Sequence, residues 1–179
     1  MNSWTAAQTA VIVVAVIAVL GSAISAAITY LLSQRAVQRE RRAKAFAEAL
    51  NAVEEFAELP YRVRRRLGTP QARHDLTEEI SRAQSQLAYH QALLQIEAPE
   101  VAEPYRSLVR AVKEQAGTQM AEAWLKPALT TDTEMNLAKA YPRDLIDSAR
   151  DTCIDAMRIT LERRRLRDAP IVRRSTAAR

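Results

Sequence analysis

The sequence predicts an all-α protein in which one N-terminal transmembrane helix precedes an antiparallel bundle of about four helices. Three observations carry this prediction. The 179 residues include only 3 Gly, and aromatic residues make up 5% of the chain, which is typical of helices rather than of sheets with glycine-rich turns. An uncharged apolar run opens the chain. A helical spacing of apolar residues then continues through the rest.

The apolar run covers residues 10–32 and contains nothing more polar than Gly, Ser and Thr. As a helix it would be about 34 Å long, enough for a hydrocarbon core of ~30 Å. Trp4 and Tyr30 would then place one aromatic ring at each membrane interface. We therefore predict a transmembrane helix over residues 10–32, with residues 1–9 as a short extracytoplasmic N-terminus.

Two other structures compete with a membrane span. A buried core helix is one, but a core helix of this length without charge is rare in so small a protein. A cleaved signal peptide is the other, and it needs a positive n-region and a shorter apolar core. Residues 1–9 contain no charged side chain, although a weak Ser25-x-Ala27 cleavage pattern exists. The membrane span is the favoured reading.

Basic side chains follow the run directly, and none precedes it. The cluster consists of Arg35, Arg39, Arg41, Arg42 and Lys44. The positive-inside rule places such a cluster in the cytoplasm, so we predict a single-pass inner (plasma) membrane protein with its N-terminus outside and its C-terminal domain cytoplasmic. The cluster would also meet the anionic headgroups of the lipid bilayer, at ~1 kcal/mol for each charge near the surface.

One face of the predicted span is made of small residues. They recur at spacings of three and four and are Ala15, Ala18, Ser22, Ser25 and Thr29. Small faces let helix backbones approach closely, so this face is a candidate for helix pairing and for a homo-oligomer. The alternative is an alanine-rich composition without a pairing role.

Residues 33–167 are predicted to form the helical bundle, and residues 168–179 a disordered basic tail. Pro60 should kink or end the first helix, Thr69 should cap the second, the third should start near Pro104, and Pro142 should open the last. The residues expected to face the core are Phe46, Leu50, Val53, Phe56, Ala57 and Val63; Leu76, Ile80, Ala83, Leu87, His90 and Leu94; Tyr105, Leu108, Val112, Ala116, Met120 and Ala123; and Leu145, Ala149, Cys153, Ala156 or Met157, and Thr160 or Leu161.

The chain has a net charge of +5, and its charged residues are unevenly distributed along the sequence. Up-down-up-down packing would return the basic C-terminal end to the membrane surface beside the first basic cluster. The C-terminal membrane-surface candidates are Arg163, Arg164, Arg165, Arg167, Arg173 and Arg174. By contrast, Arg62–Arg66 would lie about 45 Å from the membrane edge along a straight helix, as an exposed basic tip.

The residue types that usually carry chemistry are few and widely spaced. His74 and His90 lack the spacing of helix-borne metal ligands, and His90 is predicted to be a core or boundary residue. Cys153 lies on the apolar side of the last helix and is predicted to be an inert thiol. The adjacent acids Glu54-Glu55 and Glu78-Glu79 are predicted to be solvated charges. We expect no catalytic residue, no cofactor and no metal.

The sequence favours a non-enzymatic adaptor, scaffold or regulatory subunit with a protein partner. The candidate partner-binding residues are Tyr61, Arg62, Arg64, Arg65 and Arg66. The alternative for this cluster is a solvated helix end that complements the helix dipole. A second hypothesis is a small self-associating membrane effector or regulator, for instance from a phage or mobile element. Membrane-tethered nucleic-acid binding is third, since no aromatic residues interleave with the arginines.

Overall fold

The computed structural model describes residues 6–135 and 140–167. These residues form four α-helices and one short 3-10 helix, and no strand occurs among them, which confirms the all-α prediction. The helices are α1 (Ala6–Arg64), α2 (Pro70–Glu97), α3 (Pro99–Leu125) and α4 (Asp144–Arg167), and the 3-10 helix is Asp132–Met135. The predicted tail over residues 168–179 lies outside the described residues.

The chain divides into two units, Met1–Arg42 and Ala43–Arg179. In the first unit, α1 is the only helix among the described residues that is long and apolar enough to cross a membrane. Its most apolar window of 18 residues has a mean hydropathy of 2.2, and none of that window is buried. This stretch is therefore not a core helix of the chain to which it belongs.

In the second unit, α1 and α3 run parallel, and α2 runs antiparallel to both. Tyr105, near the start of α3, donates its hydroxyl hydrogen to the carbonyl of Ala49, with 3.1 Å between the oxygens. Arg66, just after α1, reaches the carbonyl of Ala123 near the end of α3. Ala98 alone separates α2 from α3, so the chain must reverse there.

The last helix, α4, runs antiparallel to α3. The Gln119 side chain donates to the carbonyl of Pro142 at 2.7 Å, and the backbone N–H of Ile146 donates to Gln115 at 3.2 Å. Later residues of α4 therefore pair with earlier residues of α3. The four helices form the predicted antiparallel bundle, in which the second unit's segment of α1 begins and α4 ends at the same end.

The predicted core is buried along most of its length, with one error at the start of α4. Leu145 is 52% exposed, and Ile146, which is 1% exposed, takes its place. At 100° per residue, Leu145 points about 80° away from Cys153, whereas Ile146 points within about 20° of it. Met157 and Thr160 continue this buried stripe, each less than a tenth exposed.

Prolines lie at or just before three helix starts and inside two helices. Thr69 caps α2 as predicted, because its hydroxyl accepts the N–H of Ala72 at 3.2 Å with proline in the first turn. Pro60 lies inside α1 and does not end it. The third helix starts at Pro99 rather than near Pro104, and Pro142 precedes α4 instead of opening it.

Candidate membrane anchor and partner surfaces

Two of the three hydroxyl groups on the small face of the apolar stretch bond within their own helix. The Ser22 hydroxyl donates to the carbonyl of Ala18 at 2.9 Å, and the Thr29 hydroxyl donates to the carbonyl of Ser25 at 2.9 Å. Ala15 and Ser25 lie on the same face and are exposed. Local bonds of this kind satisfy the Ser22 and Thr29 donors without a second helix.

The basic cluster that follows the apolar stretch is largely exposed. Arg35, Arg39, Arg41 and Lys44 are exposed, and Arg42 is partly buried. Lys44 forms one loose ion pair, in which its ammonium lies 3.9 Å from a carboxylate oxygen of Glu48. Of the C-terminal arginines, Arg163, Arg164, Arg165 and Arg167 belong to α4 but their side chains lie outside the description, and Arg173 and Arg174 lie outside the described residues.

The Arg66 side chain is partly buried and bonds to backbone carbonyls of the bundle. Its Nη1 atom donates to the carbonyl of Val63 at 2.9 Å and to that of Ala123 at 3.0 Å. Its Nη2 atom donates to the carbonyls of Trp124 and Lys126 at 3.2 and 2.6 Å. The guanidinium also lies 4.8 Å from the centre of the Trp124 ring. The last carbonyls of a helix lack intrahelical partners, so Arg66 caps the C-terminus of α3.

Arg64 and Arg65 also donate to backbone carbonyls far along the chain. Arg64 donates to the carbonyl of Pro127 at 3.2 Å, and Arg65 donates to that of Met135 at 3.1 Å. The Arg65 guanidinium lies 5.6 Å from the centre of the Tyr61 ring. These contacts tie the end of α1 to the segment that follows α3.

Tyr61 and Arg62 complete the cluster. The Tyr61 hydroxyl accepts the backbone N–H of Tyr141 at 2.9 Å, and the two rings meet edge to face at 4.9 Å. Arg62 forms an ion pair with Glu79 of α2. Partner binding by the five residues stays a prediction, and only Arg62 and Arg65 among them are exposed.

A network of ion pairs connects α1 to α4. Glu54 accepts hydrogen bonds from Arg143 and from Arg150, and Arg150 also lies 3.0 Å from Asp147. Burial raises the pKa of Glu54, but the hydrogen bonds and charges of the two arginines outweigh it and leave the pKa lowered. The prediction of a purely solvated charge is wrong for Glu54 and for Glu79, which are both ion-paired between helices.

The two residues with the most reactive side chains are buried, as predicted. Cys153 is fully buried, and burial raises the pKa of its thiol to about 11. His90 is 6% exposed, and its Nδ1 atom has no hydrogen-bond partner. Burial lowers the pKa of His90, and the opposing charge of Glu48 offsets this only in part. The thiol is protonated at neutral pH, which is typical of an inert cysteine.

A polar groove of about 520 Å³ runs between α1 and α2. Sequence reasoning missed it, because its walls are charged residues of two helices that meet only after folding. The α1 wall consists of Glu48, Asn51, Ala52, Glu55, Leu59 and Arg62, and the α2 wall of Glu79, Arg82, Ala83, Gln86, Tyr89 and His90.

No protein-family model matches the chain, and no curated protein or solved structure matches it significantly. Among residues 6–135 and 140–167, no three His, Cys, Asp or Glu side chains group so that they could hold a metal ion. The features of the chain that bear on function are the apolar helix, the basic clusters and the groove.

Proposed function

We propose that this is a single-pass membrane protein whose helical bundle recruits a protein partner to the membrane as a non-enzymatic adaptor, scaffold or regulatory subunit. One observation carries the proposal. The apolar stretch of α1 has no buried residue in its most apolar window, whereas the second unit has a buried core of its own. An exposed apolar surface of this length is stable in hydrocarbon and not in water.

The basic cluster from Arg35 to Lys44 supports an orientation with the bundle in the cytoplasm. It follows the apolar stretch, and no basic side chain precedes that stretch. Its exposed members are available to anionic headgroups on the cytoplasmic leaflet of the inner (plasma) membrane.

The chemistry of the bundle supports an interaction role over a catalytic one. Cys153 and Tyr105 are buried, and burial raises the pKa of both groups, so neither ionises near neutral pH. The half-buried charges Glu54 and Arg143 are used to join helices. The bundle also presents a groove between α1 and α2, which can receive a segment of another protein.

Native extraction tests the proposal directly. The tagged full-length protein is extracted from its own membranes in mild detergent without nuclease, the complex is weighed, and its components are identified. We expect one stoichiometric second protein. A different single-pass protein with the same tag is the control for adventitious capture. A preparation that contains this chain alone would contradict the adaptor function.

The small face of the apolar stretch supports a second candidate, a self-associating membrane effector. Its residues are small and two of its hydroxyls bond to their own helix, so two such faces can pack closely. Ser25→Leu should then abolish oligomers and activity while the bundle stays folded, and Val16→Leu is the matched control. Wild-type behaviour of Ser25→Leu would exclude this candidate. Nucleic acid in the extracted complex would instead favour tethered nucleic-acid binding.

A further inference from the structure

The α1–α2 groove is lined by side chains that recur along one face of each of these two antiparallel helices. Glu48 and Glu55 lie seven residues apart on α1, about 10 Å along the helix axis and on the same face. Ala52 and Ala83 line the groove between its polar walls, and both are nearly fully buried. Because alanine side chains are short, the two helices leave open space where longer residues would fill it.

The acids of the groove are incompletely paired near its His90 end. Glu55 accepts one hydrogen bond, from the Asn51 amide at 2.9 Å, and Glu48 has one loose ion pair, with Lys44 at 3.9 Å. Both glutamates are exposed. At the other end Arg62 and Glu79 neutralise each other. The Glu48–Glu55 part of the groove is therefore a site of negative charge on a chain whose net charge is +5.

His90 provides a second and independent feature of the same end. It lines the groove, is 6% exposed, and has a ring nitrogen, Nδ1, without a hydrogen-bond partner. A neutral imidazole has one nitrogen that donates and one that accepts, so this buried ring leaves part of its hydrogen-bonding capacity unused. Tyr89, whose ring lies 5.0 Å from that of His90, is 58% exposed and can cover a cation with its face.

We propose that this groove binds a basic segment of the protein partner. The guanidinium or ammonium groups of that segment form ion pairs with Glu48 and Glu55, beside His90 and Tyr89. The proposal rests on the adaptor function and names the chemistry of the partner. A cation supplies the donors that the two carboxylates accept. The positive net charge of the chain repels cations at long range, so selectivity for a basic segment must come from the groove itself. Arg82 also lines the groove and disfavours a second cation beside it.

The test uses the full-length protein in nanodiscs of zwitterionic lipid, which do not attract cationic peptides. The probes are three fluorescent peptides of one length, with two arginines, two glutamines or two glutamates spaced three residues apart. An extended peptide places such side chains about 10 Å apart, which matches Glu48 and Glu55. We expect the arginine peptide to bind tightest, by fluorescence anisotropy. Glu48→Gln with Glu55→Gln should weaken this binding about fivefold or more.

Two controls separate the groove from general charge and from the adaptor function. Glu114→Gln removes an exposed acid of α3 outside the groove and should leave binding within about twofold. Glu48→Arg with Glu55→Arg should reverse the preference in favour of the glutamate peptide.

Equal binding of the three peptides, or arginine binding that survives the double glutamine variant, would overturn the groove proposal. A native partner that stays bound to the double variant would overturn it too while leaving the adaptor function intact. A preparation without any partner contradicts the adaptor function instead.

Discussion

Two arginine-rich stretches of the chain differ in what their charges do. The residues from Arg35 to Lys44 are mostly exposed, whereas the side chains of Arg62, Arg64, Arg65 and Arg66 each contact another part of the bundle. Both stretches are rich in arginine; the first lies within α1 and the second spans its C-terminal end. Charge density alone therefore does not identify an interaction surface, because the carbonyls and carboxylates that surround a guanidinium decide whether it is available.

The end of α3 explains the difference between the two stretches. Its last carbonyls lack intrahelical partners and lie beside the end of α1, so Arg66 finds three acceptors there. Residues 35–42 lie in the interior of α1, where backbone carbonyls are bonded within the helix. The cluster at the bundle end is primarily a structural cap, and the cluster after the apolar stretch is the better candidate for lipid.

The largest expected effect is the loss of stability in Arg66→Ala. The variant removes four hydrogen bonds from the guanidinium to backbone carbonyls and the contact with Trp124, so we expect the bundle to be destabilised by about 2–4 kcal/mol. Denaturant unfolding followed by Trp124 fluorescence, in a Trp4→Phe background, measures it. Arg66→Lys should not restore stability, because an ammonium cannot reproduce the fork of donors.

Arg62→Ala is the matched control for Arg66→Ala. Arg62 makes one ion pair, and its side chain is 48% exposed, so we expect a loss of about 0.5 kcal/mol or less. Equal destabilisation by the two variants would contradict the assignment of Arg66 as the cap of α3.

Neutralising the exposed cluster should change orientation and leave stability unchanged. We expect Arg39→Gln, Arg41→Gln and Lys44→Gln together to invert a fraction of the molecules, because each charge is worth ~1 kcal/mol at an anionic surface. Reporter cysteines at Asn2→Cys or Thr118→Cys show which side each end occupies, by labelling intact cells with an impermeant maleimide. The native Cys153 is buried and should stay unlabelled. An unchanged orientation would show that other features of the chain set it.

A smaller effect is expected at the α1–α4 network. Glu54→Gln should destabilise the bundle by about 0.5–1 kcal/mol at pH 7, since the carboxylate is partly solvent-screened. The folded pKa of Glu54 lies below its ordinary value of 4.5, so this stability is present above pH 4.5 and is lost as pH falls through the folded pKa. The free energies of unfolding of the wild-type protein and of Glu54→Gln should therefore become equal in acid. A constant difference down to that range would contradict the network.

The smallest expected effect is the pH dependence due to His90. Its folded pKa lies below the ordinary 6.5, so its contribution to stability is complete above pH 6.5 and declines as pH falls toward the folded pKa. His90→Gln should lose less stability than wild type between pH 6.5 and the acid side of that pKa. Glu48 faces His90 and supports protonation, so Glu48→Gln should deepen the decline. A wild-type profile that matches His90→Gln would contradict a buried neutral ring.

Much of the fold was predictable because helices leave a local signal. The spacing of residues such as Val53, Leu87 and Val112 identified buried faces, and Thr69 identified the start of α2. The prediction that Leu145 is buried is wrong for a local reason. Apolar residues spaced three and four apart do not decide which of two neighbouring positions is buried when the start of the helix is uncertain. Ile146 occupies the buried position instead.

The candidate sites were less predictable, because they depend on contacts between distant residues. Arg66 meets Ala123 and Lys126 across about 60 residues of chain, and no local pattern reports such a pairing. The groove could not be predicted for the same reason. In the sequence, Glu48 and Glu55 are typical of solvated charges and Ala83 is typical of a core residue. They form one groove only when α1 and α2 pack side by side.

The central claim is that the bundle holds a partner at the membrane, and the location of that partner tests it most directly. The partner identified by native extraction is followed by fractionation in cells with the full-length protein, without it, and with a chain that lacks residues 1–42. We predict a membrane-bound partner in the first case and a soluble partner in the other two, with the shortened chain still bound to it. A partner that stays at the membrane in all three would contradict the claim.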